Sequence, residues 1–191
     1  MCVGTARRGQ PDSDRLFDIV AGQAGLFTAR QAQEAGYSAQ VLAHHVRAGR
    51  FLRVLRGIYR WVQFPAGEHE DLVALWLWSE QQGVFSHQTA LALHDLSDVL
   101  PSRVHLTLPA AWKHRRFRVP PGVVLHHADL DEQERVWFGA IPGTSPRRTL
   151  LDCAGAQLSP DLLNQAIAQA LSRGLILTSD LVGIQSAAQR P

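Results

Sequence analysis

Between Thr28 and Trp61 the hydrophobic period of the chain changes once, from helical to extended, and this change leaves the segment very few folds. Thr28 is placed to cap a short helix from Ala29 to Ala35, and Gly36 follows as the residue able to take the left-handed conformation that ends a helix. Ser38 is placed to cap a further helix from Ala39 to Ala48, ended by Gly49. Two short helices joined through Gly36-Tyr37-Ser38 fit the tight turn of a helix-turn-helix. The extended run that follows, Phe51 to Val54, then Leu55-Arg56-Gly57, then Ile58 to Val62, reads as a β-hairpin with Arg56-Gly57 at its turn, where glycine removes the steric cost of positive φ. An earlier helix is expected to start at an Asp12 or Ser13 cap, to bury Leu16, Phe17, Ile19 and Val20, and to stop near Gly25. Helices followed by a basic hairpin make a winged helix, expected over residues 12–64 behind a flexible tail at 1–11.

Charge gives this segment a partner. Residues 1–64 hold nine arginines against Asp12, Asp14, Asp18 and Glu34, a balance of +5, whereas residues 65–191 carry −3. On the third helix Val41, Leu42, His45 and Val46 form an apolar stripe, and Gln40, His44 and Arg47 form the opposite one. A reader of the major groove needs this combination, with Arg47 suited to guanine and Gln40 to adenine. Arg47, Arg50, Arg53, Arg56 and Arg60 then follow with no acid among them. Arg53 and Arg60 are expected together on the hairpin face opposite part of its apolar set, with Arg56 at the tip, placed for phosphates or the minor groove. Arg30 near the start of the second helix can meet phosphate beside a helix N-terminus. The expected DNA-binding set is therefore Thr28, Arg30, Ser38, Gln40, His44, Arg47, Arg50, Arg53, Arg56, Gly57 and Arg60.

Phe64-Pro65-Ala66-Gly67 reads as a hinge, and a second domain is expected over 68–191. Its pattern is helical at Asp71 to Gln82 and at His87 to Leu93 behind a Ser86 cap. It is strand-like at Val104 to Leu108, Val123 to His127 and Val136 to Ile141. Ser145-Pro146 and Ser159-Pro160 then open two more helices, each with proline at the first helical position. The fold class expected is α+β, a winged helix-turn-helix followed by a mixed helix and strand domain.

Several chemistries are disfavoured. The longest apolar stretches fall well short of the roughly 20 residues of a membrane span, and no signal peptide follows Arg7 and Arg8, so a cytoplasmic protein is expected. Cys2 and Cys153 are too few for a disulfide framework or a structural zinc site. No metal site or cofactor is expected from the nine histidines. His126 and His127 leave a strand on opposite faces, His87 and His94 stand about 10 Å apart along one helix, and His44 and His45 belong to different stripes. No phosphate loop, His-Glu-x-x-His helix or Gly-x-Ser-x-Gly turn is present, so no enzyme is expected. The run Lys113 to Arg118 reads either as a second contact to DNA or a partner or as a solvated loop. Asp129, Asp131, Glu132 and Glu134 read as a solvated turn.

Leu26 to Ala32, Gly36-Tyr37-Ser38 and Arg50 to Arg60 resemble the N-terminal winged helix of AbiEi-type antitoxins. Phe85 to Leu96, Val104 to Pro109 and Thr144 to Asp152 are similar to the C-terminal region of that family. The resemblance implies a bacterial or phage-defence operon in which the protein is a DNA-binding repressor of its own promoter and a type IV antitoxin. It implies two partners: double-stranded promoter DNA, and a nucleotidyltransferase-like toxin opposed without a stable complex. The alternative is a stand-alone transcription factor or DNA-processing accessory with no toxin.

Overall fold

The computed structural model describes residues 11–189, so Cys2 and nearly all of the expected tail lie outside the described residues. The chain divides into two compact units, residues 1–81 and 82–191.

The first unit begins with α1 (Ser13–Ala21), capped by Asp12, whose carboxylate accepts the Arg15 N–H at 2.9 Å. Leu16 and Val20 are fully buried, but Phe17 is 51% exposed and packs by its edge near Trp61 and Phe64. The expected apolar stripe of α1 is thus narrower than its sequence suggested. β1 (Leu26–Thr28), α2 (Ala29–Glu34), α3 (Ala39–Arg47), β2 (Phe51–Leu55) and β3 (Ile58–Trp61) follow. The sheet order is β1-β3-β2, both pairings antiparallel. Gly25 enters β1 at φ +82°, and a Cβ there would meet the Phe64 ring at 2.9 Å. Under this sheet Phe27, Phe51, Tyr37, Leu42 and Ala32 pack with Leu16 and Val20 into one core.

The unit does not end at the expected hinge. α4 (Glu70–Trp78) packs on β1, β2 and β3 and belongs to the winged helix. It buries Leu72, Val73, Ala74, Trp76 and Leu77, which lie on more than one side of the helix and demand cover all round. Gln81, just after it, donates to Gln23 Oε1 at 3.0 Å, and Gln23 in turn exchanges hydrogen bonds with Gln31.

The second unit is built on a five-stranded mixed sheet in the order β6-β5-β4-β8-β7. Its strands are β4 (Val84–Phe85), β5 (Val104–Leu108), β6 (Val123–His127), β7 (Arg135–Phe138) and β8 (Ile141–Thr144). The single strand expected at Val136 to Ile141 is instead a hairpin, because Gly139 takes φ +57° and turns the chain. α5 (His87–Leu93), α6 (Pro146–Gly155), α7 (Pro160–Ser172) and α8 (Leu181–Ala188) supply Leu91, Leu150, Ala154, Leu163, Ala166 and Ile184 to the main core of this unit. Ser86, Ser145 and Ser159 occupy the expected N-cap positions, but none makes a side-chain cap hydrogen bond. Cys153 is buried, and burial pushes its thiol far above the ordinary range, as suits an inert packing residue.

His94, at the end of α5, is 9% exposed and donates from Nε2 to the Thr144 carbonyl at 2.8 Å. Burial holds its pKa below 6.5. The unfolded chain therefore gains a proton at that site at a higher pH than the native protein does. Stability from this residue is complete above pH 6.5 and declines as the pH falls toward the native value. His94→Gln should give a shallower loss of thermal midpoint between about pH 6.5 and 5 than the parent, read by melts across a buffer series. An identical acid limb in both proteins contradicts the assignment.

Candidate nucleic-acid interface

The helix-turn-helix is set by its caps. Thr28 Oγ1 accepts from Gln31 N at 3.1 Å while Gln31 Oε1 accepts from Thr28 N at 2.8 Å, a reciprocal capping box at the start of α2. Ser38 Oγ accepts from Val41 N at 3.3 Å and starts α3. Both hydroxyls, included above among DNA contacts, are thus engaged in orienting the two helices.

α3 has the two faces its sequence requires. Leu42 is buried and Val41, His45 and Val46 are half-buried, whereas Gln40, His44 and Arg47 are exposed. His45 lies between the rings of Tyr37 and Phe51, 5.6 and 5.1 Å away, and burial, then Arg50 and His44, lower its pKa. It is a packing residue. Arg47 folds back on its own helix, donating weakly to the Ala43 carbonyl at 3.4 Å, and remains free to extend.

The wing departs from expectation in one respect. Arg53 pairs with Tyr59 and Arg60 with Leu52, and successive residues of a strand alternate faces, so Arg53 and Arg60 stand on opposite sides of the hairpin. Arg60 is committed to the fold. It is half-buried, forms an ion pair with Glu70 of α4, and donates to the Phe64 carbonyl at 3.0 Å. Arg53 is exposed, as is Arg56 in the turn, where Gly57 takes φ +77° and its carbonyl accepts from Ala29 N at 2.8 Å. Arg30 is exposed and pairs with Glu34 at 3.6 Å, a surface contact worth only about 0.3–0.5 kcal/mol.

Among the described residues Arg47, Arg50, Arg53 and Arg56 face no carboxylate partner, so α3 and the wing share a basic surface. That surface is local. With the unit closing at Gln81, its nine arginines meet eight acids, because Glu68, Glu70, Asp71 and Glu80 surround α4. The charge asymmetry read between the two parts of the chain therefore belongs to one face of the winged helix.

In the second unit three of the four acids of the acidic turn are engaged by the fold. Asp129 accepts from Ala110 N, Asp131 and Glu134 form a reciprocal cap, and Glu134 binds Arg148 at 2.9 Å. The basic run Lys113 to Arg118 lies in an exposed loop, with the Arg115 guanidinium 4.1 Å above the Trp112 ring.

A comparison with curated proteins gives no match. The crystal structure of the RV2827C protein from Mycobacterium tuberculosis aligns over 97% of this chain and 78% of its own length, at 17% identity and a TM-score of 0.49. Residues 14–62, which run from the first turn of α1 through β3, match the family of transcriptional regulators described as AbiEi antitoxin, the family that their sequence resembles.

Proposed function

We propose that this chain is a DNA-binding transcriptional repressor that acts on its own promoter and serves as the antitoxin of a type IV operon. The reading is carried by the exposed basic surface of α3 and the wing, where Gln40, His44 and Arg47 form one outward stripe and Arg50, Arg53 and Arg56 flank it. α3 enters the major groove, Arg47 and Gln40 contact base edges, and Arg53 and Arg56 hold phosphate on either side. Arg30 adds a phosphate contact beside α2. Thr28, Ser38, Gly57 and Arg60 act through the backbone and the hairpin they hold.

Antitoxicity is assigned to the second unit, and the protein works in the cytoplasm as a regulator rather than an enzyme. Its counterpart is a nucleotidyltransferase-like toxin that it opposes without forming a stable complex. Nuclease footprinting with the full-length protein on DNA upstream of its own gene should protect inverted half-sites centred about 34–36 Å or a multiple apart, the spacing of one helical turn. Uniform protection with no preference for that DNA refutes repression of its own promoter. Co-expression with the adjacent gene product tests the second role: growth arrest that the intact protein does not relieve leaves a regulator alone.

A further inference from the structure

Three histidines from separate elements meet at one edge of the sheet in the second unit. His87 opens α5 directly after β4, His105 lies in β5 and His126 in β6. β5 runs antiparallel to β4 and parallel to β6, with Phe85 opposite Leu106 and Thr107 opposite His126, so the register brings all three together. His105 Nδ1 is 3.0 Å from His126 Nε2, and the His87 ring lies 3.6 Å from that of His126. One ring nitrogen from each residue lies within 4.8 Å of the other two.

We propose that His87, His105 and His126 bind one first-row divalent cation of the zinc class, its remaining coordination position open to the adjacent cleft. Metal–nitrogen bonds of about 2.0–2.1 Å in a tetrahedron hold nitrogens roughly 3.3 Å apart. The His105–His126 pair is already near that spacing, and the third nitrogen needs to close by at most about 1.5 Å. The rings now stack within 24° of parallel, so they must swing to aim their lone pairs at one point. His105 and His126 are only half-buried, and His126 borders an open cleft.

Three features favour a site over simple packing. Among the described residues no carboxylate pairs with the three imidazoles, whose partners are one another and the Ser86 hydroxyl. The fully buried Ser86 hydroxyl accepts from Thr107 at 2.7 Å and meets His87 Nδ1 at 2.9 Å, an outer contact of the kind that fixes a ligand's tautomer. His87 itself holds φ +52°, a left-handed backbone in a residue with a Cβ. The cleft of about 730 Å³ is lined by His87, His126, Glu134, Arg148 and Asp152. Arg148 binds both carboxylates, at 2.9 and 2.8 Å, so this trio is net negative beside the ion. An all-imidazole set selects zinc and its neighbours over magnesium or calcium.

Untagged full-length protein, stripped with chelator and titrated calorimetrically with Zn²⁺, should take up one equivalent and melt at higher temperature. The Co²⁺ form should show the visible absorption of four-coordinate cobalt. His105→Gln and His126→Gln, each checked for fold by circular dichroism, should weaken Zn²⁺ binding by more than about 100-fold, since loss of an outer contact alone costs about 10–100-fold. Ser86→Ala should fall within that lower range. No uptake by the intact protein, or equal uptake by the folded glutamine variants, overturns the proposal. If both variants unfold, X-ray absorption on the Zn²⁺-loaded parent decides: three imidazole nitrogens support the site, and an oxygen shell overturns it.

Discussion

Phe27→Ala is expected to lower the stability of the first unit by about 3–5 kcal/mol, the cost of a large cavity in a core that cannot collapse around it. Phe27 is fully buried in β1, with the Phe51 ring 4.9 Å away on one side and that of Tyr59 stacked at 5.8 Å. Phe51 also touches Tyr37 and Trp61, so one ring position supports the turn before α3, the wing and the strand between them. Against a typical total of about 5–15 kcal/mol, the loss removes much of what keeps the unit folded. Denaturant melts followed by tryptophan fluorescence measure it, and DNA binding should disappear with the fold. Phe17→Ala is the control. At 51% exposed, its loss should cost about 1 kcal/mol or less. If the control proves the more damaging, the core is centred on α1 instead.

Arg47→Ala should cost roughly 1–3 kcal/mol on the operator and much less on random duplex, because a bidentate contact to a base edge is what separates the two. Arg47 stands with Gln40 and His44 on the exposed stripe of α3, whereas Arg56 sits at the wing tip beside Gly57. Arg56→Ala should weaken operator and random DNA alike and flatten the slope of log affinity against log salt by about 0.9 for the phosphate released. Titrations over a salt series read both. Equal losses on both DNAs for Arg47→Ala, together with an operator-only loss for Arg56→Ala, exchange the roles of helix and wing. Arg60→Ala makes a different point. Its guanidinium is spent on Glu70 and the Phe64 carbonyl, so its loss should be felt in stability before it is felt in the salt slope.

The residues that build the winged helix were legible because each acts over a few positions. The Thr28 and Ser38 caps, Gly36 and Gly57 at positive φ, and the apolar face of α3 are local facts of stereochemistry and period. The alternation along β2 and β3 was legible too, but the placing of Arg53 and Arg60 on opposite faces was not, since it depends on pairing across the hairpin. The histidines illustrate the same limit. Parity along one strand correctly separates His126 from His127, and helical rise separates His87 from His94, yet neither rule reaches His105.

By itself, then, the sequence determined where α2 and α3 start and stop, which side of α3 faces water, and that an acid-free run of arginines borders it. Only the tertiary structure decided that α4 closes the winged helix with Glu70 on Arg60, and that Phe17 stays near the surface. It alone decided that β4 lies between β5 and β8, bringing Ser86 and His87 beside His105 and His126. Capping and amphipathic period are settled by neighbours three or four residues away, whereas strand order and register are settled by the burial of whole faces against distant segments.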